Sequence, residues 1–245
     1  MPAEAAPSLL LVDDLPGTGG RVALPEDESH YLTRVCRARP GDRVSATDGR
    51  GALATLRMVE GGRSAALEVE SCARSERTRA AWVLSGPPEG ERGDWMVEKL
   101  AELGVAAFLP VDCERGGWER MKGRVDRWRR LAVAALRQSR RRFLIEIREP
   151  LPFGEALAIL PAGGGRWLGA MDGAAAAGIR PSATGLSAGL IGPSSGLSEP
   201  ERDAAARAGF APICLSDGRL RAETAAVAWA CWWSGGAPGA SGASE

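Results

Sequence analysis

Residues Gly189 to Thr224 read GLIGPSSGLSEPERDAAARAGFAPICLSDGRLRAET. The segment opens with a short apolar run and a tight loop. Ser198, with Glu201 three residues later, forms a capping box, so a helix starts there. Gly209 is placed to end that helix. A second apolar run, Phe210 to Leu215, leads into the loop SDGRLRAET and then a last helix. The order is strand, glycine loop, helix, strand, loop, helix. In open α/β sheets, ligands sit where such loops leave the carboxyl ends of strands.

Upstream of this segment the chain falls into two parts. Up to about residue 75 the runs LLLVDD, RVALP, DRVSATDG, GALATLRMV and AALEVES are short, alternating or apolar, and separated by turn residues. They predict strands. His30 to Arg39 is expected to be a helical insertion closed by Pro40-Gly41, and Arg74 to Arg79 a linker. From Ala80 strands alternate with helices, which argues an α/β layer. AAWVLSG, VAAFLPV and RWLGAMD read as strands. Asp94 is expected to cap a helix carrying Met96, Leu100 and Leu103 and ending at Gly104. A long helix from about Gly123 to Arg141 places Val125, Trp128, Ala132, Ala135 and Ser139 on one side. Ala174 to Ser187 reads as a loose connection, the last helix as Ala222 to Trp233, and residues 235–245 as a disordered tail.

The chain has 245 residues, enough for one large domain or two modest ones, and its 31 basic and 31 acidic residues give no net charge. Charge is unevenly spread. Between Arg115 and Arg148 stand twelve Lys or Arg against three acids, Glu119, Asp126 and Glu146. Few acids stand at i,i+4 spacing, so the arginines are expected to repel one another and favour an anionic partner. A solvated helix face is the other reading. His30, Arg34, Arg37 and Arg39 form a second basic cluster. The five cysteines are scattered without a C-x-x-C pair, and there is one histidine, so no metal site is expected. No apolar run approaches a membrane span. The first residues lack a charged region and an apolar core of signal-peptide type, which predicts a cytoplasmic protein with reduced thiols.

The loop Gly192-Pro193-Ser194-Ser195-Gly196 can bring backbone close to an adenosine-type ligand, or be a simple strand-to-helix turn. It matches neither the phosphate loop nor the dinucleotide fingerprint. In the loop 215–224 two arginines and a glutamate flank Leu220 at a helix start. An ordinary N-cap with Glu223 in the first turn is the alternative.

Five segments, in this order, resemble the RsmE family of 16S rRNA uridine-N3 methyltransferases, over about Leu9 to Trp232. HYLTRVCRARPGDRVSATDGRG is similar to the family's H-x-x-x-V-L-R-x-x-x-G-D-x-x-x-x-x-D-G-x-G. ERGDWMVEKLAELGVAAFLPVDCERG resembles K-x-x-x-M-[ED]-x-x-x-x-K-x-x-E-L-G-V followed by a strand and S-E-R. RQSRR is similar to E-Q-S-G-R, LIGPSSGLSEPE to L-I-G-P-E-G-G-[LF]-[ST]-x-x-E, and LSDGRLRAETA to L-G-x-[RN]-[IV]-L-R-x-E-T-A. The resemblance implies a PUA-like β-barrel, an α/β SPOUT domain from about residue 76 to 234 with a trefoil knot, S-adenosylmethionine as cofactor, 16S ribosomal RNA or the small ribosomal subunit as partner, and a homodimer. It implies cofactor contacts at Met171, Leu190, Ile191, Gly192, Pro193, Gly196, Leu215, Gly218, Leu220, Arg221 and Thr224. RNA contacts are expected at His30, Arg34, Arg37, Arg39, Arg140 and Arg142. Arg221 and Arg141 are the candidate cations for charge developing on uridine. Glu223, His30, solvent or a backbone group could take the N3 proton.

The chain departs from the family at Ser194-Ser195, which replace Glu-Gly, at Arg137 and Arg140, which replace Glu and Gly, and at Cys113, which replaces Ser. A positive φ at Ser195 would carry strain of order 1 kcal/mol. Two alternatives stay open: an RNA-binding protein of this fold with weakened catalysis, or a methyltransferase for a different RNA site. The final helix is apolar nearly all round, with Val227, Trp229, Ala230, Cys231, Trp232 and Trp233. Few elements of its own domain remain to cover it. It is therefore expected to pack beside a partner copy, with Trp229 in the contact.

Overall fold

The computed structural model describes residues 9–89, 91–118 and 123–235. The expectations for the first residues, for Arg120 and Lys122, and for the tail beyond Gly235 lie outside these. The chain divides into two compact units, one made of residues up to Arg77 together with Val133–Leu144, the other of Thr78–Ala132 and the chain from Ile145 onward.

The first unit carries β1 (Leu9–Leu11), β2 (Arg21–Ala23), α1 (Glu26–His30), β3 (Arg43–Thr47), β4 (Ala52–Glu60) and β5 (Ala66–Arg74). The five strands form one sheet in the order β1-β3-β4-β5-β2. β1 pairs with β3 in parallel and the other neighbours are antiparallel. Alternation along β4 sends Ala54, Leu56 and Met58 into a core with Leu10, Leu32 and Leu67. The expected insertion begins earlier than His30: α1 runs straight into a π-helical turn, Tyr31–Val35, which drops Leu32 into the core.

The turn after β3 is fixed by Asp48. Its buried carboxylate accepts the N–H groups of Arg50 and Ala52 at 2.8 and 3.0 Å, and the Arg74 guanidinium at 2.8 Å. Gly51 sits there at φ 114°, where an added Cβ would lie 2.3 Å from the Ser75 carbonyl oxygen, so no other residue fits.

The second unit contains β6 (Arg79–Ser85), α2 (Gly93–Glu102), β7 (Ala107–Asp112), β8 (Glu146–Ile147), β9 (Leu151–Pro152), α4 (Phe153–Ala158), β10 (Gly165–Ala175), β11 (Gly185–Ile191), α5 (Glu199–Arg207), β12 (Ala211–Cys214) and α6 (Ala222–Gly235). The helix α3 (Arg124–Ser139) gives its first part to this unit and its end to the first. The sheet order is β12-β10-β11-β6-β7-β8, and every pairing is parallel. Such a sheet needs both faces covered, and its strands read as apolar runs for that reason. The α/β class with parallel sheet follows from the alternation seen in the sequence.

Local punctuation matches the sequence at α5. Ser198 accepts the Glu201 N–H and Glu201 returns a bond to the Ser198 N–H, a complete capping box. Gly209, at φ 85°, ends the helix. Other expectations need correction. Asp94 is not a cap: the helix N-cap is Arg92, and Asp94 in the first turn instead binds Arg127 at 2.6 Å and the Trp128 indole N–H at 2.8 Å. The stretch 174–187 is not one loose connection. β10 continues to Ala175, a 3-10 turn spans Ala176–Gly178, and β11 already begins at Gly185. Small residues suit strand there because the backbones approach closely: a Cβ on Gly173 would lie 2.4 Å from the Ile213 nitrogen.

The last helix is covered by its own unit. α6 packs on α2, β6 and β11, elements far earlier in the chain. Trp229 is 0% exposed and lies over Gly189, so it belongs to this core and not to a contact with another copy. Trp232 meets Trp167 edge to face at 5.5 Å and donates to the Ala176 carbonyl at 3.0 Å. Gly235, expected in the tail, is the last residue of the helix.

The arginine-rich helix does not repel itself. Most of its acids come from outside it: Arg124 pairs with Glu91 at 2.9 Å, Arg127 with Asp94 at 2.6 Å, and Arg129 with Glu149 at 3.1 Å, while Asp126 within the helix also pairs with Arg129. Arg137 bonds Glu28 and lies 4.6 Å over the Tyr31 ring. Burial pushes the Glu28 carboxyl above its ordinary value despite the opposing Arg137. Two arginines carry backbone strain instead. Arg37 and Arg140 have φ 56° and 52°, a region that costs an L-residue about 1–2 kcal/mol.

Candidate active site

Three chain segments leave the carboxyl ends of neighbouring parallel strands and enclose one cleft of about 390 Å³. The first is an excursion in β10. Gly169 and Ala174 both face Ile213 of β12, so residues 170–173 bulge out of the ladder. The bulge presents Met171, which is 55% exposed, and Asp172 to the cleft. Asp172 is neutralised at the rim by a two-pronged bond from Arg202 of α5, at 3.0 and 2.9 Å.

The second segment follows β11. Gly196 donates to the Pro193 carbonyl at 2.8 Å and takes φ 78°. The turn therefore needs its glycine at 196, and Ser195 does not adopt positive φ, so the strain expected at Ser195 is absent. Ser195 is instead a fastener, its hydroxyl donating to the Arg115 carbonyl at 2.7 Å. Beneath this loop Gly86 meets Pro193: a Cβ on Gly86 would fall 2.6 Å from the Pro193 nitrogen. Glu201 has a second duty that its capping role does not reveal. It accepts the Glu114 N–H at 2.8 Å, tying α5 to the Cys113–Gly116 turn.

The third segment is the loop after β12. Leu215, Gly218 and Leu220 line the cleft, and Ala222 and Ala225 of α6 close its floor. Arg219 reaches back across the opening and donates to the Ser194 carbonyl at 2.9 Å. The lining is mostly backbone and apolar side chain.

Of the cofactor positions expected from the sequence, eight line this cleft: Met171, Ile191, Gly192, Pro193, Gly196, Leu215, Gly218 and Leu220. Three do not. Leu190 is fully buried in the core beneath it. Thr224 is exposed on α6. Arg221 is not a lining residue and pairs with Glu89 at 3.0 Å across two half-exposed side chains. Lining residues that the sequence reading passed over include Gly169, Asp172, Leu197, Arg202 and Arg219. Gly169 and Asp172 flank Met171 in the strand already recognised, so that strand end was the available signal.

The candidate base Glu223 is displaced from the cleft. It is 4% exposed, and Arg92 holds its Oε1 at 2.7 Å between α2 and α6. Its Oε2 has no hydrogen-bond partner. Removing Arg92, itself half-exposed, would leave the buried Glu223 carboxylate without its cation, which makes this pair structural. Arg141 belongs to the first unit, and desolvation lowers its pKa below the usual guanidinium value. In that same unit His30, Arg34, Arg37, Arg39 and Arg140 are exposed, whereas Arg142 donates to the Ser75 hydroxyl at 2.5 Å. Cys113 is buried, and burial together with Glu201 and Asp112 pushes its thiol up to about 12. Among the described residues no group of three or more metal-ligating side chains occurs and no helix is long and apolar enough to cross a membrane.

Comparison with known proteins adds to this geometry. A profile of the RNA methyltransferase domain matches residues 75–234, and one of the RNA methyltransferase PUA domain matches residues 24–70. The chain is 30% identical over 218 residues to a ribosomal RNA small subunit methyltransferase E from Synechocystis sp., covering 83% of this chain and 69% of that protein. A protein of the same name from Mycobacterium bovis is 29% identical, with 89% and 88% covered. The crystal structure of a ribosomal RNA small subunit methyltransferase E from Neisseria gonorrhoeae bound to S-adenosyl methionine superimposes with a TM-score of 0.82 at 27% identity, covering 92% of this chain and 95% of that one.

Proposed function

The chain belongs to the ribosomal RNA small subunit methyltransferase E family, and from that premise we propose that it methylates N3 of a uridine in 16S ribosomal RNA. Membership makes it an S-adenosylmethionine-dependent ribosomal RNA methyltransferase. The observation that supports the finer reading is the cleft. Its volume of about 390 Å³ falls in the range of small-molecule sites. Ile191, Leu215 and Leu220 offer apolar contact, and Gly192, Gly196 and Gly218 leave the backbone bare for close approach. Those residues would hold the adenosine part of S-adenosylmethionine. When bound, that group supplies an electrophilic methyl on a sulfonium.

The residues of the chain have separate tasks. Arg219 and Ser195 fasten the cleft loops through their bonds to the Ser194 and Arg115 carbonyls. Arg221 stands on the cleft-lining loop, and its bond to Glu89 is an exposed pair worth under about 1 kcal/mol. It is readily exchanged for the uridine oxygens, where it would stabilise the charge that builds as the N3 proton leaves. With Glu223 locked on Arg92, the proton goes to solvent. The exposed cations of the first unit, His30, Arg34, Arg37, Arg39 and Arg140, would contact RNA phosphates.

The proposal includes a trefoil knot in the C-terminal domain, a cytoplasmic setting beside the ribosomal subunit, and a homodimer. The exposed Met171 and Cys231 are compatible with a contact near the cleft; Trp229 is not part of it. Small subunits from a strain lacking this enzyme, incubated with methyl-labelled S-adenosylmethionine, should acquire label in 3-methyluridine of 16S ribosomal RNA. Label in another nucleoside, or none, overturns the reading. A monomer at micromolar concentration by sedimentation removes the dimer.

A further inference from the structure

Cys113 to Gly116 form a tight turn just past the carboxyl end of β7. The Cys113 N–H reaches the Gly116 carbonyl at 2.9 Å, and the Gly116 N–H returns to the Cys113 carbonyl at 3.1 Å. Arg115 stands at the tip. It is exposed, and its guanidinium makes no hydrogen bond or ion pair among the described residues. The backbone beneath it is held from three sides. Glu201 of α5 accepts the Glu114 N–H at 2.8 Å, Asp112 accepts the Trp118 N–H at 2.6 Å, and the Ser195 hydroxyl donates to the Arg115 carbonyl at 2.7 Å. Gly116 lies against the cleft loop: a Cβ there would stand 3.2 Å from Pro193 and 3.3 Å from Pro87.

This turn and the Arg221 loop meet the same short segment. Pro87 packs on Gly116, and Glu89 nearby in the chain accepts from Arg221 at 3.0 Å. Ser194 and Gly196, on either side of Ser195, line the cleft. An unpaired guanidinium on a rigid mount therefore stands beside the cleft lining. The reaction has a use for it. When the uridine N3–H bond breaks, the proton goes to solvent and negative charge spreads over the two carbonyl oxygens that flank N3. The N3 electron pair forms the bond to the methyl carbon as the carbon–sulfur bond breaks, its electrons staying on sulfur. One cation meets one oxygen. The other oxygen needs its own donor, and a donor fixed in advance stabilises developing charge without reorganisation.

We propose that Arg115 is a second catalytic cation, meeting one uridine carbonyl oxygen while Arg221 meets the other, and that Ser195 is its positioning residue. This rests on the reading that the chain methylates uridine N3. Ser195 stands where the resembled motif carries glycine, so this fastening belongs to the chain's own sequence. The test compares Arg115→Ala, Arg115→Lys, Ser195→Ala and the double alanine variant, using S-adenosylmethionine and small ribosomal subunits that lack the modification. The kcat, both KM values and the pH–rate profile are measured. Arg115→Ala should lower kcat about tenfold and move the rising limb of the profile up by about one pH unit, because the uridine anion loses that much stabilisation. Both KM values should hold. Arg115→Lys should recover most of the loss. Ser195→Ala should lower kcat about threefold in the wild type and change nothing once Arg115 is alanine. A merely structural serine would cost the same in both backgrounds, which overturns the positioning role. Wild-type kcat and pH profile in Arg115→Ala overturn the proposal. So does a loss confined to the KM for subunits with a lower salt slope, the mark of a phosphate contact. Failure of the underlying reading looks different: the wild type would then form no 3-methyluridine, and the proposal falls with it.

Discussion

Arg219 donates from Nη2 to the Ser194 carbonyl at 2.9 Å, joining the loop after β12 to the loop after β11 across the mouth of the cleft. Ser195 next door is tied through its hydroxyl to Arg115. The pair of serines thus closes the cleft through one carbonyl and one hydroxyl, and neither bond needs a carboxylate. Arg219→Ala should loosen the mouth without touching the core. A bond from a charged donor on the surface is worth about 1 kcal/mol, so calorimetry should show S-adenosylmethionine binding weakened about fivefold. Tm should move by less than about 2 °C. Unchanged affinity would show that the loops hold their places without this bond.

Short-range chemistry was legible in the sequence, and long-range chemistry was not. Ser198 and Glu201 lie three apart, so the capping box could be read directly. The cleft loops were legible because glycines and strand ends mark them. The partners of the arginines were not, since Glu91, Asp94 and Glu28 are remote in sequence from Arg124, Arg127 and Arg137. Ser195 replaces a glycine but carries no strain, because a glycine remains at 196 to take the positive φ. At Arg140 no glycine follows, and the strain falls on the arginine. The end of β10 was hidden because its small residues look like a loop until β12 is placed beside them.

Cys113 and Cys231 differ sharply in environment. Cys113 is buried, its Sγ lying 3.7 Å from the Val111 carbonyl oxygen, and its thiol is pushed up to about 12. Cys231 is exposed on α6. Thiolate, not thiol, reacts with alkylating agents. At pH 8 iodoacetamide should modify Cys231 of the folded protein and leave Cys113 untouched until denaturant is added. Peptide mapping checks this; early modification of Cys113 would mean that the turn it occupies opens in the native state.

Asp48 links the stability of the first unit to pH. Burial alone would raise its pKa, but the Arg50 and Ala52 N–H groups and the Arg74 guanidinium outweigh this, and the net shift is downward. A carboxyl with a depressed folded pKa stabilises above its unfolded value of about 3.9, and that contribution is lost as pH falls from there through the folded pKa. Asp48→Asn should therefore be less stable than wild type at pH 7, and the difference should shrink below about pH 4. A gap that stays constant from pH 7 to pH 3 would place the effect in the turn geometry and not in the charge.

Trp229 and Gly189 are complementary halves of one contact between α6 and β11. A Cβ on Gly189 would lie 2.4 Å from the indole ring, and Trp229 has no exposed surface. The ring fills the space that the missing side chain leaves, and it holds α6 against the sheet that supports the cleft. Trp229→Ala should cost about 3–5 kcal/mol through the cavity it opens. Gly189→Ala should cost about 1–3 kcal/mol through overpacking. Because the clash and the cavity are opposite faults at one point, the double variant Gly189→Ala with Trp229→Phe should be more stable than the sum of its parts, the smaller ring giving room to the new methyl. Denaturant unfolding of wild type, Gly189→Ala, Trp229→Phe and the double variant measures the coupling directly. Strict additivity would show that the helix shifts as a body to absorb each change, and a loss of dimer in Trp229→Ala at unchanged stability would return this tryptophan to an interface.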